Sequence, residues 1–240
     1  MIQEISASGV DFQELGALLE QASDQVLLHD CLGQRFIGAG MKKREIRITG
    51  IPGNALGAYL NGGTLEVMGN AQDAVGDTMN AGAIIIHGNV GDTAGYAMRG
   101  GKILVEGSAG YRAGVHMKEY EDKVPVMVIG GRTGSFLSEY QAGGVVLVLG
   151  LGQTGPIVGN FPCTGMHGGR VFLRSDCRDI LFPAQVTVRP AEQEDMASIR
   201  PYLEDFCHCF GKDLDEILDA PFTLVTPDSC NPYRQMYVAN

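Results

Sequence analysis

Short runs of alternating aliphatic residues recur along the middle of the chain. Each run carries two aliphatic residues with one other residue between them, and glycines lie close to its two ends. The aliphatic pairs are Ile46/Ile48, Leu65/Val67, Ile84/Ile86, Ile103/Val105, Val146/Val148 and Val171/Leu173. Alternation with a period of two predicts short β-strands that turn their aliphatic side chains toward one buried face.

A glycine skeleton repeats with these runs every nineteen residues. Successive blocks begin at Gly50, Gly69 and Gly88, and further glycines follow seven and thirteen residues into each block. Those internal glycines are Gly57, Gly76 and Gly95 at the first position and Gly63, Gly82 and Gly101 at the second. A fixed period of about 20 residues is typical of stacked repeat proteins. A helix across such a block would contain destabilising interior glycines, so we interpret the repeating unit as a strand.

The sequence therefore predicts an all-β core in the form of a right-handed parallel β-helix of about seven rungs, with short α-helical caps at both ends. Equivalent strands stack at about 4.8 Å, and the aliphatic pairs fill the bore. The block that begins at Gly107 is irregular, because it is five residues longer than the others and contains the charged insertion EYEDKVP. Its phase stays open: either Met127 and Ile129 or Val126 and Val128 point inward.

We divide the chain into three parts. Residues 1–35 form an N-terminal cap, residues 36–175 form the parallel β-helix, and residues 176–240 form a C-terminal helical cap and tail. In the first part, apolar residues at helical spacing predict a short helix within residues 11–23. Such caps cover the ends of a β-helix, where unpaired strand edges would otherwise invite association.

The C-terminal part carries several further elements. Helical spacing continues over residues 191–209, with Gly211 as a stop and with Pro201 placed where it would kink or split the helix. A further helical turn spans residues 214–218, and the stretch PFTLVTP predicts a strand. The tail DSCNPYRQMYVAN has no clear period, and it is either packed against the coil or ordered by a partner.

Composition supports a globular repeat protein of the cytoplasm. The chain has 34 glycines in 240 residues, which is about twice the usual frequency of ~7%. No apolar run approaches the roughly 18 residues of a membrane-spanning helix, and the N-terminus lacks the basic and apolar regions of a signal peptide. The six cysteines show no disulfide framework, as expected for a chain kept in a reducing compartment.

The net charge of −10 is concentrated in one segment. Residues 191–220 contain nine acidic residues against Arg200 and Lys212. The basic cluster at residues 41–44, MKKR, is only three charges long. Nucleic-acid binding calls for a basic face, so this composition argues against it. Whether the acidic segment docks a partner or only keeps the chain in solution stays open.

The sequence Cys207-His208-Cys209 contains residue types that bind metals. Adjacent residues on a helix point in different directions, however, and a zinc or iron–sulfur site needs about four converging ligands. We therefore assign no metal site and interpret these cysteines as buried or half-buried. His87 and His116 fall at different points of the repeat and do not form one column.

His167 occupies the corner position that Asn61 and Arg99 hold in other rungs, which favours an exposed polar turn over a ligand or a catalytic base. The glycines do not indicate a nucleotide-binding loop, because each glycine cluster leads into another strand rather than into a helix, and no Gly-Lys-Ser or Gly-Lys-Thr occurs. The sequence thus supplies no catalytic residue and no cofactor-binding residue that we assign.

Two polar pairs are spaced by one full repeat and should stack on neighbouring rungs. Asn70 lies nineteen residues before Asn89, and Asp73 lies nineteen before Asp92. Stacked amides can exchange hydrogen bonds, whereas stacked carboxylates repel and could share a proton or a cation. Paired carboxylates also serve glycoside cleavage, so a β-helix enzyme that cleaves polysaccharides is a remote alternative. The absence of tryptophan, which would stack on a sugar, argues against it.

Four stretches of the chain resemble the rungs of the GXGXG family. They are GNALGAYLNGGTLEV, GNVGDTAGYAMRGGKILVEG, EYQAGGVVLVLG and FPCTGMHGGRVFLR. This family includes the carboxy-terminal β-helix domain of the glutamate synthase large subunit and the β-helix component of formylmethanofuran dehydrogenase. The resemblance covers about residues 36–175, and GMHGG at residues 165–169 is its most specific part. The segment 222–233 resembles the tail of the free-standing, separately encoded versions.

The resemblance implies a non-catalytic structural subunit of an oxidoreductase complex of the glutamate synthase type. It implies two partners, a glutamine amidotransferase subunit and an FMN-binding synthase subunit that also holds an iron–sulfur cluster, and no cofactor on this chain. A component of a formylmethanofuran dehydrogenase or an N-methylglutamate synthase complex is the alternative within the family. A self-associating scaffold that stacks end to end is a further alternative.

Overall fold

The computed structural model describes residues 2–230, which form eleven strands and three helices. The elements are β1 (Gln3–Ser6), α1 (Phe12–Glu20), β2 (Gln25–Leu32), β3 (Glu45–Ile51), β4 (Asn61–Val67), β5 (Ala81–Ile86), β6 (Lys102–Val105), β7 (Val126–Ile129), β8 (Ala142–Val148), β9 (Gly168–Leu173), β10 (Val186–Pro190), α2 (Gln193–Phe210), α3 (Leu214–Leu218) and β11 (Thr223–Pro227). The eleven strands belong to one sheet, in which β1 to β9 follow each other in chain order and β11 and β10 come last.

Strands β1 to β9 are parallel neighbours, so the chain winds as a β-solenoid of about seven turns. The predicted register is confirmed, because Leu65 pairs with Ile84 and Ile84 pairs with Ile103. These side chains are fully buried and form a continuous apolar column. The nineteen-residue spacing of the aliphatic pairs therefore corresponds to one turn of the coil.

The irregular block keeps its place in the ladder despite the insertion. Met127 aligns with Ile103 and with Val146, and both Met127 and Ile129 are buried in the bore. The question left open by the sequence is thus settled in favour of Met127 and Ile129. Val126 and Val128 point to the other side of the sheet, yet they are also buried, because α2 packs there.

The glycines at the thirteenth position of each block are explained by contact between rungs. Gly82 has φ of +96°, and a Cβ on it would lie 2.6 Å from the carbonyl oxygen of Gly63 in the preceding rung. Any side chain at this corner would therefore meet backbone as well as adopt a left-handed conformation. The glycine skeleton lets successive turns approach closely enough to hydrogen-bond.

The first 35 residues contain more of the sheet than the sequence indicated. The predicted helix is present as α1, with Asp11 as its N-cap, and it buries Leu15 and Leu19 against the bore. On either side of it, β1 and β2 pair in parallel with each other, and β2 pairs in parallel with β3. The ladder of strands therefore begins within the segment expected to act only as a cap.

Helix α2 lies along the outer face of β6 to β9 rather than over an end of the bore. It runs unbroken for 18 residues through Pro201 and ends at Gly211, whose conformation is left-handed. Its buried contacts comprise Ile199, Leu203 and Phe206 of the helix and Leu104, Val126, Val128, Val145, Leu147 and Phe172 of the sheet. Of the kink or split predicted at Pro201, the split does not occur.

At the end of the parallel ladder, the free edge of β9 is covered by a later strand of the same chain. The predicted strand is present as β11, which pairs antiparallel with β9, and β10 pairs antiparallel with β11. The short helix α3 is also present at the predicted position. Most of the tail DSCNPYRQMYVAN, from residue 231 onward, lies outside the described residues.

Candidate docking surface

The cysteines of α2 do not have the environment of reactive or metal-binding thiols. Cys207 and Cys209 are half-buried, and burial raises the pKa of both thiols. Burial also raises the pKa of Cys163, deep in the bore, to about 12. A nucleophilic or metal-bound thiol needs the opposite shift. Within residues 2–230 no group of three or more His, Cys, Asp or Glu side chains is arranged to hold a metal ion.

The three histidines singled out in the sequence lie at three different places. His87 is on the outer face of the sheet, where its Nε2 is 3.0 Å from the Glu66 carboxylate and its ring contacts Phe210 edge-on. His167 is at a corner, with its Nδ1 3.0 Å from the carbonyl oxygen of Gly165. His116 lies among aromatic rings on another side of the coil. The structure does not bring them together.

The stacked polar pairs act as corner supports between rungs. The backbone N–H of Asn89 donates to Asn70 Oδ1 at 2.8 Å, and the backbone N–H of Asp92 donates to Asp73 Oδ1 at 2.9 Å. Asp92 in turn accepts the backbone N–H of Tyr111 at 2.8 Å. Each side chain thus accepts a hydrogen bond from the backbone of the next rung, so these carboxylates and amides stabilise the stacking of the rungs.

A distinct exposed surface lies on the side of the coil formed by the turn segments 92–97, 111–116, 135–140 and 160–165, which we call the turn side. Backbone hydrogen bonds tie these turns together, for example from the N–H of Phe136 to the carbonyl oxygen of Asn160 at 2.9 Å. Six aromatic side chains cluster there, and we call this cluster the aromatic face. Its members are Tyr96, Tyr111, His116, Phe136, Tyr140 and Phe161.

The rings of the aromatic face follow one another from rung to rung. The centroid of Phe136 lies 5.2 Å from those of Tyr111 and Phe161. In a second row, His116 lies 5.9 Å from Tyr96 and stacks on Tyr140 at 5.4 Å with an interplanar angle of 8°. Despite these contacts, Phe161 remains 58% exposed and Tyr140 40% exposed. Exposed aromatic surface of this kind is unusual for an isolated protein.

An ion pair sits between the two rows. Arg112 Nε lies 2.8 Å from the Glu139 carboxylate, which is largely buried. The guanidinium also lies over the rings of Tyr111, at 4.9 Å, and Phe136, at 5.4 Å. The Glu139 carboxylate balances the charge of Arg112, which is partly exposed beside the rings of the aromatic face. Aromatic residues and arginine are the types enriched in the cores of protein interfaces.

The backbone beneath these rings adopts a conformation that bulky residues rarely accept. Phe136, Tyr140 and Phe161 have φ of 61°, 52° and 58°, in the left-handed region that favours glycine. The equivalent positions of other turns, such as Ala55 and Thr93, have the same conformation, so it belongs to the repeat, and aromatic residues there carry a cost in stability.

Sequence reasoning missed the aromatic face for two reasons. Tyr111 is the first residue of its turn, whereas Phe136 and Phe161 are the second of theirs, and the turns that begin at residues 111, 135 and 160 are 24 and 25 residues apart rather than nineteen.

The glycine skeleton, the solenoid and the turn geometry agree with a known family. A family model described as the GXGXG motif matches residues 25–227. The chain belongs to the GXGXG family. The match extends beyond residues 36–175 at both ends, which fits the presence of β2 before the predicted β-helix and of β10 and β11 after it.

Two further similarities extend over nearly the whole chain. The uncharacterized protein MJ1350 of Methanocaldococcus jannaschii is 40% identical over 248 aligned positions, which cover 97% of this chain and 95% of that protein. In the X-ray structure of the formyltransferase/hydrolase complex FhcABCD from Methylorubrum extorquens with methylofuran, one chain superposes with a TM-score of 0.62 and 19% identity. That superposition covers 94% of this chain and 91% of the other, and it shows a shared fold.

No helix within residues 2–230 is both long and apolar enough to cross a lipid bilayer. The molecule combines a rigid coil with an exposed aromatic face. The cysteines discussed above are buried or half-buried, and the stacked aspartates are hydrogen-bonded to the backbone of neighbouring rungs. Such a molecule can position other proteins through its surface.

Proposed function

We propose that this chain is a non-catalytic structural subunit of a multi-subunit enzyme complex of the glutamate synthase type. In this proposal it spaces and docks a glutamine amidotransferase subunit and a synthase subunit that carries FMN and an iron–sulfur cluster. The complex transfers the amide nitrogen of glutamine to 2-oxoglutarate and reduces the product to glutamate. The choice of this complex rests on the resemblance of the chain, including its tail, to the free-standing β-helix subunits.

The observation that carries the structural role is the aromatic face. A solenoid tied by backbone hydrogen bonds on every rung resists shear, so a surface on its turn side holds a fixed position relative to the rest of the coil. The rings there remain exposed although several lie on a strained backbone. A protein that acted alone would gain nothing from this arrangement, whereas a subunit that docks a partner would bury it.

A second candidate is a component of a formyltransferase/hydrolase complex. The observation in its favour is the superposition on a chain of FhcABCD over 94% of this chain. That likeness is one of fold, so the two candidates differ in the partners expected and not in the structural role of the coil.

The test is purification of the tagged full-length chain from its own organism, followed by identification of every protein that elutes with it in constant ratio. Recovery of a glutaminase and a flavoprotein supports the glutamate synthase assignment. The purified assembly should then form glutamate from glutamine and 2-oxoglutarate, and addition of the chain should restore this activity to an assembly that lacks it.

Other results decide against the assignment. Formyltransferase or hydrolase subunits in constant ratio would favour the second candidate. A chain that elutes alone, or only with further copies of itself, would overturn the proposal of a docking subunit.

A further inference from the structure

The two edge strands of the sheet have different surroundings. At one end the chain returns β11 to cover β9, and β10 then forms the outermost strand. At the other end β1 is the outermost strand, and within residues 2–230 no strand pairs with its second edge. An uncovered strand edge is a template for the addition of another strand.

The direction of the backbone groups identifies which amides of β1 are open. The N–H of Ala7 donates to the carbonyl oxygen of His29 in β2 at 2.8 Å. Because donors alternate along a parallel strand, Ile5 also directs its N–H and carbonyl toward β2, and Glu4 and Ser6 direct theirs away from it. Both residues are exposed. The edge therefore presents a short row of unpaired donors and acceptors.

Within residues 2–230 this edge carries no proline, lysine or covering strand, although β1 is short and bears Glu4. Proline, lysine, a bulge or a covering segment commonly blunt an edge strand. The opposite edge strand, β10, ends in Pro190 and carries Arg189. Strand β1 reads Gln-Glu-Ile-Ser, and Ile2 just before it is 67% exposed. The aliphatic column of the bore ends at Ile5, which is only partly buried.

The surface beside the edge of β1 indicates which side chains an added strand would carry. A hollow of about 420 Å³ lies on the outer face between Ile2, Leu27, Glu45 and Arg47, among other residues. Arg47 is already paired with Glu66 at 2.8 Å. Glu45 in the lining and Glu4, which lies opposite Leu27 on β1, therefore leave an excess of negative charge around a hollow of mixed apolar and polar lining.

We propose that β1 receives an extended segment of a partner subunit, which continues the sheet by one strand. The segment places an aliphatic side chain over Ile5 and a lysine or arginine beside Glu4. A second copy of this chain is a poorer occupant, because its own β1 carries the same Glu4 and the chain has a net charge of −10. This inference rests on the proposed role as a subunit, but it concerns a surface separate from the aromatic face.

The direct test is amide hydrogen exchange on the purified assembly and on the isolated chain. The amides of Glu4 and Ser6 should exchange rapidly in the isolated chain and at least tenfold more slowly in the assembly. Those of Ile5 and Ala7 point toward β2 and serve as internal controls with similar protection in both. Unchanged exchange at Glu4 and Ser6 in an intact assembly would overturn the inference and leave the proposed function standing.

A variant pair tests the same edge through binding. Glu4→Pro removes an outward N–H that β2 does not use, and it should weaken recovery of one partner subunit at least tenfold with little change in the melting temperature. Glu4→Ala keeps the N–H and should weaken recovery less. Equal recovery with both variants would contradict strand addition. A dimer of the isolated chain that Glu4→Pro dissociates would assign the edge to a second copy and overturn the choice of partner.

Discussion

Glycines of this coil that share a backbone conformation are under different constraints. Gly82 and Gly40 both have positive φ, at +96° and +66°. A Cβ on Gly82 would meet the carbonyl oxygen of Gly63 at 2.6 Å, whereas a Cβ on Gly40 would meet nothing within 4 Å. At Gly82 the fold therefore requires a residue without a Cβ, because the neighbouring rung leaves no room for one. At Gly40 it requires only a residue that adopts positive φ.

This difference predicts two unequal losses of stability. Gly40→Ala should lower the free energy of unfolding by about 1–2 kcal/mol, the cost of the left-handed conformation for a residue with a Cβ. Gly82→Ala should lower it by about a further 1–3 kcal/mol, because the rung must also shift away from backbone. Urea denaturation of both variants measures the difference. Equal losses would show that contact between rungs does not restrict this corner.

The direction of a side chain within one strand gives a second prediction. Ile84 is fully buried in the bore, and Ile85 beside it points to the outer face and is only half-buried. Ile84→Asp should abolish soluble expression, because a buried unpaired carboxylate costs several kcal/mol. Ile85→Asp, the matched control, should express. Normal yield and an unchanged melting curve for Ile84→Asp would contradict the inward assignment.

At the scale of elements, the outer face of the sheet has a charged half and an apolar half. On β3 and β4 its positions carry charged residues such as Arg47 and Glu66, and on β6 to β8 they carry Leu104, Val128 and Leu147. Helix α2 covers only the apolar half, and it is held there by the ion pairs of Lys102 with Asp205 and of Lys212 with Glu106. Part of the acidic segment 191–220 thus anchors α2 to the sheet.

The sequence predicted those elements whose residues obey the repeat. Strands β3 to β9 were predictable because aliphatic pairs and glycines coincide there. Strands β1 and β2 were missed, since the run Val26-Leu27-Leu28 lacks both the alternation and the glycines. The position of α2 could have been inferred from the aliphatic outer residues of β6 to β8. The aromatic face could not, because its rings occupy different positions of successive turns and the later turns are spaced by more than nineteen residues.

Asp195 connects α2 to β10 and gives a prediction about pH. Its carboxylate accepts a hydrogen bond from Arg189 Nη1 at 2.6 Å and one from the Glu192 backbone N–H at 2.8 Å. The Arg189 hydrogen bond lowers the pKa of Asp195, although desolvation opposes the shift. A lowered pKa in the folded state stabilises the fold at pH above the unfolded value of about 3.9. That stabilisation is lost as the pH falls through the folded pKa.

Asp195→Asn should therefore lower the melting temperature at pH 7, and the difference from the unsubstituted chain should vanish toward pH 2. Glu194→Gln, on the same turn and exposed, should change the melting temperature less at both pH values. Melting curves between pH 2 and pH 7 test this. A difference that persists undiminished at pH 2 would mean that the ionised carboxylate is not what links α2 to β10.

At the scale of the whole molecule, an aromatic residue with positive φ on the turn side lowers the stability of the chain but provides surface for the proposed docking. Tyr140 has φ of 52° and stacks on His116 within the aromatic face. Tyr59 occupies the same position of an earlier turn, with φ of 56° and 59% exposure, but lies outside the aromatic face. The two tyrosines share residue type and backbone conformation and differ in their surroundings.

Replacement of each tyrosine by glycine distinguishes its effect on stability from its effect on docking. Glycine accepts positive φ without strain, and the ring stacking that Tyr140→Gly removes is worth about 0.5–1.5 kcal/mol. Tyr140→Gly should therefore leave the free energy of unfolding of the isolated chain within about 1 kcal/mol of its original value, and Tyr59→Gly should do the same. In the assembly, Tyr140→Gly should weaken binding of a partner subunit at least tenfold, because a central ring of the buried surface is gone. Titration of each variant with the purified partner measures this, and equal affinities for the two variants would place the docking surface elsewhere on the coil.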